Sequence, residues 1–316
     1  MSEVPPRLPP RDSGDAWVEG PDGRRYWGRY GAAGLLVHDR VAGILLQHRA
    51  EWSHFGGTWG LPGGARHAGE SAVAGAIREA GEEAGVPADA LAIAFTSVFD
   101  VGFWSYETVV ARAARPFEPS IGDAESLELR WVPLDEVEAL PLHPGFGSSW
   151  PRLRERLGET VRIVVDAANV VGSRPDGWWK DRAGAASRLL ERVGALSAAG
   201  VAAREFGLPA GRIWPEYSVV LEGQARGAGT SSARGGGPRA DGDASAGSAV
   251  TPEVNVVRSE GSGDDTIVAE TERLTSLSWG APATTVVITA DRELAGRVAK
   301  AGAEVRGPRW LLDLLD

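Results

Sequence analysis

The sequence contains no cysteine, has lysine only at Lys180 and Lys300, and holds no apolar run long enough to cross a bilayer. The first absence removes disulfides, thiolate metal sites and cysteine nucleophiles together, so any metal must be held by oxygen or histidine ligands. It also fits a reducing interior, and the cytoplasm is the expected location. The lack of a spanning segment excludes a membrane partner of the helical kind. Basic residues are outnumbered, 33 Lys plus Arg against 43 Asp plus Glu, for a net charge of −10. That balance argues against a broad, non-specific grip on nucleic acid while leaving room for a local site. The scarcity of lysine, beside abundant alanine and glycine, reads as codon bias rather than function. The opening stretch, MSEVPPRLPPRDSGD, is Pro-rich and polar and lacks the apolar core of a signal peptide, so residues 1–14 are expected to be a disordered leader.

What is present is enough for two globular domains: 316 residues, 43% hydrophobic and 24% charged. The most informative stretch is residues 64–86, GARHAGESAVAGAIREAGEEAGV. On an α-helix Glu79, Glu82 and Glu83 stand at i, i+3 and i+4, so the three carboxylates share one face. Val73, Ile77, Ala80 and Ala84 form a separate apolar stripe, which lets the helix bury one side and keep the acidic side open. Like charges so close repel, and a hard divalent cation such as Mg²⁺ or Mn²⁺ is the economical explanation. Gly75 and Gly81 each cost about 1 kcal/mol of helix propensity, so the segment is not tuned as a free surface helix.

Gly64, Glu70, Arg78, Glu79, Glu82, Glu83, Gly85 and Val86 fill every fixed position of the Nudix box, and residues 15–158 resemble a complete Nudix hydrolase domain. The resemblance implies an αβα sandwich with a mixed sheet. It implies hydrolysis of a nucleoside diphosphate linked to another moiety, with water attacking phosphorus and Mg²⁺ or Mn²⁺ as cofactor. Carried over by motif, Glu79, Glu82 and Glu83 are metal ligands and Glu70 is an auxiliary acid near the helix start. Arg78 orients the glutamates. Gly63 and Gly64 bend the loop and bring its backbone, Gly64 above all, close to metal or phosphate. LLQHR and WGLPGG resemble the nucleotide-sanitising branch, which acts on nucleoside triphosphates including oxidised ones, but they mainly build the shared scaffold. A general base outside the box is expected at Glu125 or Glu128, and the sequence does not choose between them. Phe103, Trp104 and Tyr106 offer either a stacking surface for the base or hairpin packing. His54 and His67 flank the metal loop, as phosphate contacts or as surface histidines.

Within this first domain, Gly31–His38 and Val41–His48 read as a β-hairpin, Leu91–Phe95, Thr108–Arg112 and Glu128–Val132 as strands, and Trp150–Leu157 as a closing helix. From residue 160 to 316 strands alternate with helices, which predicts an α/β domain with a parallel sheet and right-handed crossovers. Val161–Val171 and Tyr217–Leu221 read as strands, Ala183–Ala198 and Thr266–Leu277 as helices, Thr285–Thr289 as a strand and Arg292–Ala301 as a helix. Residues 224–250 are Gly-, Ser-, Ala- and Arg-rich without apolar period and are expected to be a disordered insertion. Its Arg226, Arg234 and Arg239 either touch RNA or solubilise. Asp166 and Asn169, the Asp264–Asp265 pair, and Asp291 lie at strand ends and a helix start. Their order resembles the NYN branch of the PIN-like nucleases, a Rossmannoid fold, which implies a divalent metal and RNA cleavage, with Glu222 as a further ligand. The alternative is that Asp166 and Asp291 simply cap helices. Trp178 and Trp179, beside Lys180 and Arg182, are candidates to stack bases.

The expected partners are therefore a small-molecule nucleotide and, at the second domain, RNA. The leading reading is a nucleotide pyrophosphohydrolase fused to an RNA nuclease or RNA-binding module. The alternative is a nucleotide-sensing domain that regulates the second one.

Overall fold

The computed structural model describes residues 14–174, 177–229, 253–277 and 282–316. The expected leader, residues 1–14, lies outside the described residues apart from Gly14, and so do Arg234 and Arg239 of the expected insertion. Two compact units divide between Leu157 and Gly158, except that Leu208–Gly211 belongs to the first. Among the described residues no helix is long and apolar enough to cross a membrane.

The first unit opens with an antiparallel hairpin of β1 (Trp17–Glu19) and β2 (Arg25–Trp27), which pairs Trp17 with Trp27. Next come β3 (Ala32–Asp39) and β4 (Gly43–Arg49), the predicted hairpin. Its turn is fixed by the Asp39 carboxylate, which accepts from the Val41 and Ala42 N–H groups at 2.8 Å each. β5 (Trp59–Gly60) and β9 (Ser126–Val132) pair with β4. β6 (Gly63–Ala65) pairs antiparallel with β3, and on β3's other side β8 (Ser105–Ala113) runs parallel and then pairs with β7 (Leu91–Asp100). The sheet is mixed, as the resemblance implies. Leu35, Leu36, Ile44, Leu45, Phe95, Val109 and Val110 are fully buried within it, each contributing about 1.5–3 kcal/mol of transfer free energy. β7 runs five residues past the predicted end at Phe95. Helix α1 (Ala72–Ala84) carries the box, and α2 (Pro144–Arg156) begins earlier than the predicted Trp150. His143 supplies that earlier start, its Nδ1 accepting from the Gly145 N–H at 3.1 Å as an N-cap.

The second unit holds a five-stranded parallel sheet. β10 (Thr160–Asp166) lies at its centre, with β13 (Glu216–Leu221) and β14 (Asn255–Arg258) on one side, and β15 (Ala283–Ile288) and β16 (Glu304–Arg306) on the other. β11 (Val201–Ala202) and β12 (Arg212–Ile213) form a small antiparallel pair. The helices are α3 (Ala167–Gly172), α4 (Arg182–Ala199), α5 (Gly263–Ser276), α6 (Arg292–Lys300) and α7 (Pro308–Leu315). The strand expected over Val161–Val171 therefore stops at Asp166. Its carboxylate accepts from the Asn169 N–H at 3.0 Å and turns the chain into a helix. The expected insertion is also trimmed. Gly223–Gly227 is a short 3₁₀ turn in which Arg226 donates to the Ser259 carbonyl at 3.3 Å, so Arg226 is a local anchor.

Candidate active site

α1 starts at Ser71, whose hydroxyl accepts from the Ala74 N–H at 3.1 Å. It stops at Gly85, which takes a left-handed φ of 63° and donates back to the Ala80 and Gly81 carbonyls. Between these caps the helix buries Ala72, Gly75, Ala76, Ile77, Ala80, Glu83 and Ala84. This corrects the expected division into an acidic face and an apolar stripe. Glu83 lies on the buried arc and Val73 is only half-buried, because 100° per residue places position 83 over positions 76 and 80. Of the three carboxylates, Glu82 is exposed, Glu79 half-buried and Glu83 buried.

The second correction concerns the glycines. Gly63 and Gly64 are not a bend but strand β6, with Gly64 opposite Ala33 and Gly63 opposite Gly34. Their smallness serves close approach: a Cβ on Gly64 would lie 2.8 Å from the Glu79 carboxyl carbon. The Gly63 N–H donates to Glu83 Oε2 at 2.9 Å. Gly75 likewise leaves room for the Glu70 carboxylate, 3.0 Å from where its Cβ would be.

Arg78 holds the cluster together. Its Nε and Nη2 donate to the two Glu70 oxygens at 2.9 and 3.0 Å, Nη1 reaches Glu79 at 2.8 Å and Glu82 at 3.4 Å, and Nη2 also meets the Ala65 carbonyl at 3.1 Å. Burial lowers the Arg78 pKa and its bonds to Glu70 and Glu79 more than reverse that, leaving it above the ordinary value. Burial raises Glu70, but Arg78 and the His67 N–H bring it below the usual carboxylate range. Glu79 and Glu83 behave oppositely. Burial, with Arg78 only partly offsetting it, holds Glu79 up. Burial and the charge of Glu79 push Glu83 up to about 8.

Two acids whose charged forms burial disfavours, Glu83 further through the Glu79 charge, lie against a glycine backbone and form a donor set that suits a hard divalent cation. Among the described residues no three acidic or histidine side chains already point at one centre, since Arg78 draws Glu79 and Glu82 toward itself.

β-strand register delivers residues that no spacing along the chain places here. Tyr106, expected on a stacking surface, turns its hydroxyl toward Gly34 inside the sheet, where burial and then the Glu83 charge raise its pKa. Arg49, at the end of β4, lies in the field of Glu83 and ion-pairs with Glu125 at 3.7 Å. Glu125 therefore faces Arg49, whose charge also reaches Glu83, whereas Glu128 is exposed on β9 opposite His48. Asp15 acts on Glu79 from just before β1 and Asp123 on Glu83. Phe103 and Trp104 pack against the first hairpin, Trp104 Nε1 donating to the Trp27 and Gly28 carbonyls at 3.1 and 3.0 Å. The packing alternative holds for them.

With this geometry in view, a family model described as the NUDIX domain matches residues 28–153. A Mycobacterium tuberculosis protein named as a candidate 8-oxo-dGTP diphosphatase is 51% identical over 154 residues, which cover 46% of this chain and 70% of that protein. The chain belongs to the Nudix family. As a Nudix hydrolase it acts on phosphorus-containing acid anhydrides, in a family that generally uses divalent metal ions. A Bifidobacterium longum nucleoside triphosphate pyrophosphatase/Nudix hydrolase fusion protein is 41% identical over 164 residues, 48% of this chain and 34% of its own length. The crystal structure of the Nudix hydrolase RenU from M. smegmatis shares 51% identity and covers 45% of this chain and 94% of that one, with a TM-score of 0.42. The family match ends at residue 153, before the second unit.

In the second unit, acids collect at the carboxyl ends of the central strands. Asp166 ends β10, and its Oδ2 accepts from the Asn169 amide at 2.6 Å and the Thr289 hydroxyl at 2.9 Å. Asp291 caps α6 through the Glu293 and Leu294 N–H groups at 2.8 and 2.9 Å. Glu222 accepts from the Gly263 N–H at 3.1 Å. Asp264 is held up by burial and then by the charges of Asp291, Asp166 and Glu222. Asp265 turns away to Arg297. The capping role expected of Asp166 and Asp291 is thus observed. Trp179 is exposed, while Trp178 lies under the Arg182 guanidinium at 5.4 Å.

Proposed function

We propose that the first unit hydrolyses the phosphoric anhydride of nucleoside di- and triphosphate derivatives, with Glu79, Glu82 and Glu83 holding Mg²⁺ or Mn²⁺. Nucleoside triphosphates, including oxidised ones, are the first class to test, because the M. tuberculosis relative carries an 8-oxo-dGTP diphosphatase name. The observation that supports the reading most is the half-buried Glu79 and buried Glu83 set against the Gly63–Gly64 strand, where any side chain at 64 would collide with Glu79. When bound, the cation neutralises phosphoryl charge and acidifies the attacking water. Arg78 keeps Glu79 and Glu70 in place through its fork of hydrogen bonds, and Glu125, steadied by Arg49, is the general base in preference to the exposed Glu128. Nucleotide hydrolysis with Mg²⁺ by the parent and by Glu82→Gln tests this. Turnover in the parent with loss in the variant supports it, and full activity in Glu82→Gln contradicts it. Nucleotide binding without any turnover would favour the sensing alternative.

A second reading concerns the C-terminal unit. Its strand order reverses at β10 and β15, the place where open parallel sheets receive ligands. Asp166, Glu222 and Asp291 lie near enough there for their charges to raise the Asp264 pKa. On that ground, together with the residue-level resemblance, the unit is proposed to be PIN-like and to hold a divalent cation for RNA cleavage, with Asp166→Asn abolishing cleavage of single-stranded RNA.

A further inference from the structure

The first unit exposes a run of aromatic side chains that no part of the hydrolytic machinery uses. Trp17 and Trp27 of the β1–β2 hairpin meet edge to face at 5.3 Å, His54 stacks on Trp17 at 5.1 Å, and Phe55 lies 4.2 Å from His54. Trp17, Trp27 and Phe55 remain 41%, 39% and 47% accessible. A contiguous exposed aromatic surface costs solvation and marks a binding site.

Two separate routes tie this surface to the glutamates. Along the hairpin, Gly14 packs against the Arg66 carbonyl, next to Ala65, whose carbonyl holds Arg78, and to Gly64, which meets Glu79. Along the 50s loop, Arg49 Nε donates to the His54 carbonyl at 3.1 Å while its Nη2 reaches Glu125. Burial and the Arg49 charge keep His54 below its ordinary pKa. Arg25, 5.1 Å over the Trp17 ring, and Arg49 add positive charge at the flanks, which complements phosphate.

We infer that Trp17 and His54 form the seat for the nucleobase of the substrate, a flat heteroaromatic ring whose phosphates extend toward Glu79 and Glu83. The inference rests on the proposed hydrolysis of nucleoside polyphosphates and adds the part of the protein that reads the base. Stacking tolerates any purine or pyrimidine, so the seat supplies affinity for a base over none.

The test uses the full chain with Mg²⁺, GTP as the base-bearing probe and inorganic tripolyphosphate as the base-free one. Trp17→Ala is expected to raise KM for GTP about tenfold with kcat within about twofold, and Trp17→Phe to recover most of the loss, as base-aromatic stacking requires. The loss is confined to GTP, so the GTP to tripolyphosphate preference falls by the same factor; His54→Ala shifts it in the same direction. An unaltered GTP KM in Trp17→Ala overturns the seat while leaving the hydrolase standing, as does an equal loss on both substrates. If the parent hydrolyses no nucleotide, the proposed activity fails and binding of α,β-methylene GTP decides. Weaker binding in Trp17→Ala than in the parent then supports the seat, and absent or equal binding overturns it.

Discussion

Arg78 joins Glu70, Glu79 and Glu82 with one planar group, and no other side chain has that geometry. Arg78→Lys keeps the charge but loses the fork, and kcat/KM is expected to fall about 10–100-fold, as for other residues that orient metal ligands. Steady-state kinetics at saturating Mg²⁺ checks this, and the thermal midpoint should move little. His143 gives a pH prediction. Burial, then the charges of Arg49 and His54, push its pKa down to about 4, against roughly 6.5 in the unfolded chain. Its Nδ1 must also stay unprotonated to cap α2. Between those values the unfolded chain binds more protons, so stability rises with pH across the window and is lost as pH falls through it. His143→Asn keeps a capping side chain without the titration. The drop in thermal midpoint between pH 7 and pH 5 should be smaller in this variant than in the parent.

Helix α1 is delimited by residues chosen for its ends. Gly85→Ala would force a Cβ into the left-handed region and onto the Ser120 side chain, and a loss of about 1–3 kcal/mol is expected in urea unfolding. Ser71→Ala at the other end should cost about 1 kcal/mol. These signals are local, which is why the box, the helix and its stop at Gly85 are readable in the sequence. Three features were not. Glu83 was expected on the open face, yet the tight 76–80–83 arc buries it. Gly63 and Gly64 looked like a bend and are a strand, since only pairing with β3 reveals their purpose. Arg49, Tyr106 and Asp15 reach the site through strand pairing or the preceding hairpin, and no short spacing along the chain announces them. Short elements such as β14 and α7 also escaped, having too few residues to show a period.

At the scale of the molecule, two units each gather carboxylates at the edge of a sheet, by different means. In the first, a helix and a glycine strand bring Glu79 and Glu83 together; in the second, the ends of parallel strands and helix starts put Asp166 and Asp291 within the electrostatic reach of Asp264. If these are independent sites, Asp166→Asn should leave nucleotide hydrolysis within about twofold of the parent, since separate sites with no shared partners behave additively. A nucleotide panel run on Glu82→Gln and Asp166→Asn side by side checks that separation. The central claim is that the acidic ridge of α1 holds the cation on which anhydride hydrolysis depends. Its most direct test is a Mn²⁺ titration of the full chain in the presence of nucleotide, followed by paramagnetic resonance with turnover measured in the same samples. The parent should bind the ion, and Glu83→Gln should weaken it by at least about tenfold with a parallel fall in kcat. Equal Mn²⁺ affinity and equal turnover in parent and variant would contradict the account.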